Sequence, residues 1–295
     1  MNMNPYNEVL SKYNTNLNDE KVAAATEKII RENFDRNNCQ EVYKTILGCI
    51  DLTSLRTEDN DKSIAALTKR VNDFESEYLE LPNMAAICVF PNRVESVRMN
   101  LEVSDIKIAA VAGGFPSAQT LTEVKVAEVA LAVFDGADEI DTVLPVGDFL
   151  AEDYDGMCQE LIEIKGSCRE AKLKVILETG ALKSASNIKK AALLAIYSGA
   201  DFIKTSTGKN YPGATLEAAY VMCQAIKDYF DKTGTRIGFK AAGGIATTAD
   251  AVKYYTVVES VLGKEWLNKE LFRIGASSLA NRLISDIAGK EIAFF

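Results

Sequence analysis

From about residue 44 onward, hydrophobic positions fall in short β-branched runs that alternate with longer stretches of helical spacing. The runs are TILGCIDLT (45–53), MAAICVF (84–90), IKIAAVAGG (106–114), EIDTVLP (139–145), KVILET (174–179), FIKTST (202–207), RIGFKAAGG (236–244) and LFRIGASS (271–278), eight in all. Most are nearly continuous in apolar residues, as parallel strands covered on both faces should be. Between them, LTEVKVAEVALAVF (121–134) carries Leu121, Val124, Val126, Val129 and Val133 broadly on one helical stripe, and 187–198 and 215–230 are patterned alike. Eight strand-helix repeats predict an α/β fold, a (β/α)8 TIM barrel, with an open doubly wound sheet as the alternative.

An internal echo supports the repeat. Phe134-Asp135-Gly136-Ala137-Asp138-Glu139-Ile140-Asp141 parallels Tyr197-Ser198-Gly199-Ala200-Asp201-Phe202-Ile203-Lys204. Each is a helix end, a Gly-Ala-Asp turn and a strand, with the glycine where a helix C-terminus wants a left-handed residue. Asp141 and Lys204 then hold equivalent strand positions.

The stretch before the first run differs. It is Asn-rich and then helical around 19–36, with Asn18 or Asp19 as N-cap. Residues 1–43 are therefore expected to form a helical extension packed outside the barrel and closing its bottom, and 44–295 the barrel domain.

Charged residues break the apolar pattern at three places. Lys204 in FIKTST, Lys240 in GFKAAGG and Asp141 in EIDTVLP each sit inside an apolar strand, where an unpaired charge is costly. By alternation Phe202, Lys204 and Ser206 share a face, as do Gly238, Lys240 and Ala242. If those faces point inward the three charges converge. An ion-pair cluster at the rim is the bland alternative. Against it, both lysines lie near the C-terminal ends of their strands, where barrel active sites are built, and two lysines with one aspartate leave a positive surplus. A lysine attacks carbonyls only as the neutral amine, which a nearby ammonium and poor solvation both favour.

Phosphate chemistry has its own pattern. Gly243-Gly244 follows the seventh run and Gly275-Ala276-Ser277-Ser278 closes the eighth, where barrels commonly bind phosphate, and Thr207-Gly208-Lys209 adds an ammonium. Asp51 and Thr53 at the end of the first strand join the candidates, as do Glu178 and Lys183 in LETGALK (177–183), either as supporting partners or as rim ion pairs.

Composition then removes alternatives. The chain has 295 residues, 47% hydrophobic and 25% charged, which suits a large folded core. Its net charge of −9 and lack of basic runs argue against nucleic-acid binding. Six cysteines without a CxxC pair and no histidine argue against a metal site or a catalytic thiol, Cys88 reading as a small hydrophobe. No apolar stretch reaches the roughly 20 residues of a membrane span, and the polar first 16 residues do not resemble a secretion signal. A cytoplasmic protein with reduced thiols and no cofactor is expected.

FIKTSTGK (202–209), GFKAAGG (238–244), DEIDTVLP (138–145), LETGALK (177–183) and IGASSL (274–279), taken in order, resemble the deoxyribose-phosphate aldolase family, from about Gly48 to Ile284. The resemblance implies a class I lyase of deoxyribonucleotide catabolism that interconverts 2-deoxy-D-ribose 5-phosphate with acetaldehyde and glyceraldehyde 3-phosphate. It implies a Schiff base on Lys204, Lys240 as the lysine that depresses its pKa, and Asp141 in the proton relay. It also implies Gly208, Lys209, Gly243, Gly244, Ser277 and Ser278 around the phosphate. The expected partners are a small phosphosugar and, in a homodimer, a second copy of the chain. The sequence departs from the family pattern at Ala246, where many relatives carry Arg, at Ala241, where some carry Pro or Ser, and in the tail Ala293-Phe294-Phe295, where some end in a tyrosine that assists proton transfer. Two rivals remain: another Schiff-base barrel aldolase with a different carbonyl donor, and a non-catalytic phosphosugar-binding barrel.

Overall fold

A computed structural model describes residues 5–295; residues 1–4 of the expected extension lie outside the described residues. Eight parallel strands, β1 (Ile50–Thr53), β2 (Ala86–Val89), β3 (Lys107–Val111), β4 (Glu139–Val143), β5 (Lys172–Ile176), β6 (Phe202–Lys204), β7 (Gly238–Ala242) and β8 (Phe272–Ala276), follow one another around a closed barrel. Pairing of β1 with β8, Asp51 opposite Gly275, closes the ring and excludes the open sheet.

Side-chain alternation explains the two layers. Ile87, Ile108, Ile140, Val175, Ile203, Phe239 and Ile274 point outward and are buried under the surrounding helices. Phe239 and Phe272, register partners on β7 and β8, stack with ring centroids 6.5 Å apart. The interior is divided: Ala86, Cys88, Ala109 and Val111 make a small apolar patch on the β2–β3 side, and the opposite side is charged.

The internal echo corresponds to a repeated turn. Gly136 and Gly199 take positive φ (107° and 99°), and each following alanine donates its N–H back into the preceding helix, Ala137 to Ala132 at 3.0 Å and Ala200 to Ala195 at 3.2 Å. Asp138 and Asp201 each use Oδ2 to accept the backbone N–H of the neighbouring strand, from Ile108 and Leu173. Two strands entered through the same turn place Asp141 and Lys204 in matching inward positions.

Three details differ from expectation. The run 45–53 begins as helix, since Val42, Ile46 and Leu47 are buried at helical spacing within Gln40–Leu47, so the division at residue 43 falls inside a helix. The sixth run is strand only over Phe202–Lys204: Thr205 still donates its N–H to the carbonyl of Lys240 at 3.0 Å, but the N–H and Oγ1 of Thr207 turn to Glu178. In the helix Thr122–Phe134 the buried positions are Lys125, Val129 and Ala132, while Leu121 and Val124 are 70% and 51% exposed. Apolar residues surround that helix, so its periodicity does not define a face. Lys125 tolerates burial because its Nζ lies 2.6 Å from Glu160.

In the extension, the helix Asp19–Asn37 is capped by Asn18, which accepts from the N–H of Lys21 at 2.8 Å. It lies on the barrel's flank against the helices Leu216–Thr233 and Thr248–Leu262 rather than across the bottom. Arg36 reaches Glu259 at 2.6 Å and Asn37 reaches Thr256 at 3.2 Å. At the other terminus Phe294 and Phe295 pack on Phe74 at 5.6 and 5.3 Å, near the end of the helix Asp61–Glu77. The backbone N–H groups of Phe294 and Phe295 both donate to Oδ1 of Asn281 at 2.9 Å, and Asn281 donates to the carbonyl of Phe295 at 2.9 Å, in the first turn of the helix Leu279–Ala288.

Candidate active site

The register of the last three strands creates an electrostatic problem that the rest of the site solves. Lys204 lies opposite Lys240, and Lys240 opposite Arg273, so β6, β7 and β8 carry three adjacent cations on one inward row. Like charges directly opposite each other repel. Carboxylates from β1 and β4 reach in to separate them. Oδ2 of Asp141 accepts from Lys204 at 2.8 Å and from Lys240 at 2.7 Å. Lys240 also donates to Asp51. Arg273 donates to Asp51 at 2.7 Å and to both oxygens of Glu139 at 3.0 and 2.8 Å. Lys174 on β5 completes the cluster, 2.5 Å from Glu139 and 2.9 Å from Asp141.

Lys174, Glu139 and Arg273 were not singled out from the sequence. They belong to the cluster by alternation, Glu139 two residues before Asp141. Glu139 and Lys174 each open an apolar run, EIDTVLP and KVILET, where a charge looks like an ordinary boundary residue, while Arg273 sits between Phe272 and Ile274.

The balance is therefore four cations, Lys174, Lys204, Lys240 and Arg273, against three carboxylates, Asp51, Glu139 and Asp141. The one-unit positive surplus expected from three residues persists in a set of seven. All are buried, with Lys204 the most exposed of them at 4%. Burial pushes the Lys204 ammonium below its ordinary pKa, and the charge of Lys240 adds to that, against the pull of Asp141. Burial works on Lys240 the same way, yet Asp141 and Asp51 overcome it and hold its pKa above the usual lysine range. For Asp141 burial is opposed by Lys174, Lys204 and Lys240, which keep the carboxyl well below the ordinary range. The surplus proton is thus the one on Lys204: without it, three cations face three carboxylates.

Above this cluster opens a cavity of about 340 Å³ at the C-terminal end of the barrel. Lys204 is the member of the cluster that lines it. Gly208 and Lys209 line it from the β6 loop, Gly243 and Gly244 from the β7 loop, and Ser277 and Ser278 from the β8 loop. Thr53 completes the expected set, its Oγ1 donating to the carbonyl of Asp51 at 2.8 Å. Asp51, expected among the substrate-binding residues, is instead fully buried beneath the cavity as a partner of Lys240 and Arg273, because those two cations cannot be left unpaired. Asp141 and Lys240 also lie below the surface that Lys204 presents.

Glycines let the loops converge. A Cβ on Gly213 would come within 2.2 Å of the carbonyl oxygen of Gly243, and Gly243 itself has φ +90°. A Cβ on Gly275 would press on Cε of Lys240 at 3.1 Å, so this glycine leaves room for the lysine beside it. Glu178, at a left-handed φ of 52°, turns its carboxylate under the β6 loop to hold the N–H of Thr207 at 3.1 Å and its hydroxyl at 2.6 Å. It supports the loop that carries Lys209. Lys183 is exposed and lines a separate groove. Lys209 crosses the cavity mouth to donate to the carbonyl of Leu55 at 2.6 Å.

The chain is similar to known aldolases. Residues 45–281 match the DeoC/LacD family aldolases. Deoxyribose-phosphate aldolase of Bos taurus is 43% identical over 241 residues, 78% of this chain and 76% of that protein. The Agrobacterium fabrum enzyme of the same name is 40% identical over 256 residues, covering 86% and 95%. Among solved structures, an aldolase named QR15 superposes with a TM-score of 0.67 at 31% identity, over 81% of this chain and 96% of the other.

Proposed function

The chain belongs to the DeoC/LacD family of aldolases, and from that premise we propose that it reversibly cleaves 2-deoxy-D-ribose 5-phosphate to acetaldehyde and D-glyceraldehyde 3-phosphate through an imine on Lys204. The observation that carries the reading is the position of Lys204: it is the cluster's surplus cation and the member that lines the cavity. An ion-pair cluster serving only stability has no reason to hold an extra ammonium, and an anion-binding site has no reason to keep that group buried and easily deprotonated.

The neutral Nζ of Lys204 adds to C1 of the open-chain aldehyde, and the carbinolamine, taking up a proton from the Asp141–Lys240 relay, loses water to give an iminium. Its positive charge forms 2.8 Å from where Asp141 already sits. The iminium accepts the electron pair of the C2–C3 bond as that bond breaks, leaving an enamine on the enzyme. C3, losing its hydroxyl proton, departs as the aldehyde of glyceraldehyde 3-phosphate. A proton returned to C2 and addition of water release acetaldehyde and regenerate the amine. Asp141 as acceptor and Lys240 as donor, joined by a 2.7 Å hydrogen bond, are the relay for these transfers. The phosphate lies toward Gly243-Gly244 and the start of the helix Leu279–Ala288 at Ser277-Ser278, with the ammonium of Lys209 in reach.

The testing experiment is donor selectivity in the synthetic direction. With glyceraldehyde 3-phosphate as acceptor, acetaldehyde should react, and dihydroxyacetone and pyruvate should not. Preference for either of the latter would reassign the chain to a different Schiff-base aldolase.

A further inference from the structure

The phosphate end of the cavity has a small residue on one wall and a cation on the other. Ala246, where the family resemblance implies an arginine, lines the cavity from the β7 loop with its small side chain exposed. Arg56, on the loop after β1, lines the same cavity. We propose that Arg56 is the second phosphate-binding cation of this enzyme, taking the role from the opposite wall. The proposal rests on the reading above that this cavity receives a phosphorylated sugar.

Three observations carry it. The barrel order β7, β8, β1 makes the β1 loop the wall next to the Ser277-Ser278 loop, so Arg56 and position 246 flank that loop from its two sides. The turn that presents Arg56 is fixed: Oδ2 of Asp59 accepts the backbone N–H of Arg56 at 2.9 Å and the hydroxyl of Ser54 at 2.8 Å. Finally, although the chain carries a net charge of −9, the guanidinium of Arg56 has no ion pair or hydrogen bond among the described residues. Lys209 is tethered to the carbonyl of Leu55, the residue before Arg56, at 2.6 Å. Two cationic donors thus stand along one edge of the cavity, and the guanidinium offers a phosphate two parallel N–H bonds that an ammonium cannot.

The test uses the full chain and the variants Arg56→Ala, Arg56→Lys, Ala246→Arg and the double variant Arg56→Ala/Ala246→Arg, with Lys209→Ala as reference. KM and kcat are measured for deoxyribose 5-phosphate and for unphosphorylated deoxyribose, together with inhibition by inorganic phosphate. Arg56→Ala should raise KM for the phosphorylated sugar roughly tenfold, the low end for a charge-assisted contact because the site is solvent-exposed. Its kcat should change little, plain deoxyribose should be unaffected, and inorganic phosphate should inhibit less. Arg56→Lys should fall between, and Ala246→Arg should restore most of the loss in the Arg56→Ala background. Unchanged KM in Arg56→Ala beside a clear defect in Lys209→Ala would overturn this proposal and leave the phosphate reading standing. Failure of the wild type to distinguish the two sugars, with no inhibition by phosphate, would overturn both.

Discussion

Nζ of Lys204 lies 2.8 Å from Oδ2 of Asp141, and that same oxygen accepts a hydrogen bond from Lys240 at 2.7 Å. Sharing one oxygen allows Lys204 to lose its proton without stranding the carboxylate, since Lys240 and Lys174 remain to pair it. When the iminium forms, the carboxylate again has a third cation beside it. The cluster accommodates both charge states of the nucleophile with little rearrangement, which is what electrostatic preorganisation requires.

Replacing Lys240 removes a cation that disfavours the Lys204 ammonium and frees Asp141 to favour it, so the pKa of Lys204 should rise. Lys240→Met is expected to lower kcat by about 10²–10⁴ near neutral pH, with a much smaller change in KM. Part of the loss should be recovered in alkaline buffer. A pH–rate profile for the variant parallel to wild type would contradict the role.

The carboxylates also set the response to acid. Asp51, Glu139 and Asp141 are all held below their ordinary pKa values by the cations around them, despite burial that works the other way. Groups with depressed folded-state pKa stabilise the protein fully above their unfolded values, about 3.9–4.3, and lose that contribution as pH falls through the folded-state values. Melting temperature should therefore fall steeply below about pH 4. Asp51→Asn should be less stable at neutral pH and show a shallower acid limb; an acid limb as steep as wild type would mean the proton uptake lies elsewhere.

Lys174 is fully buried and does not line the active-site cavity, so it should matter for stability rather than chemistry. Lys174→Met leaves Glu139 and Asp141 short of a buried partner, a loss of about 3–5 kcal/mol by the usual cost of breaking a buried pair. Urea denaturation measures it. Adding Glu139→Gln should recover part of the loss, and strictly additive effects would show that the two residues are not coupled.

For the phosphate, Lys209→Ala should raise KM for deoxyribose 5-phosphate by an order of magnitude or more while barely affecting plain deoxyribose, given about 1.5–3 kcal/mol for a charge-assisted contact. Steady-state kinetics on both sugars check it. Equal effects on the two would place the phosphate elsewhere.

The barrel was legible because β-branched runs and helical periods alternate eight times, and Lys204, Lys240 and Asp141 stood out as charges inside apolar runs. Asp51 was noticed but misplaced: strand position says which face a side chain takes, not whether a cation above it draws it out of the cavity. Lys174 and Glu139 escaped because each opens its apolar run, where a run's edge and an inward position look alike, whereas Arg273, between Phe272 and Ile274, carries the same signal as Lys204 and was overlooked. Arg56 escaped for another reason. It stands in a loop, and its relation to position 246 exists only once β8 closes against β1.

The central claim, an imine on Lys204, is tested most directly by borohydride trapping. The enzyme is incubated with acetaldehyde, reduced, digested and mapped by mass spectrometry. The expected result is a single ethylated lysine in the peptide spanning Phe202 to Lys209, located at Lys204, with loss of activity in proportion to labelling, and neither labelling nor activity in Lys204→Ala. Labelling confined to other lysines, with Lys204→Ala still cleaving deoxyribose 5-phosphate, would contradict the account.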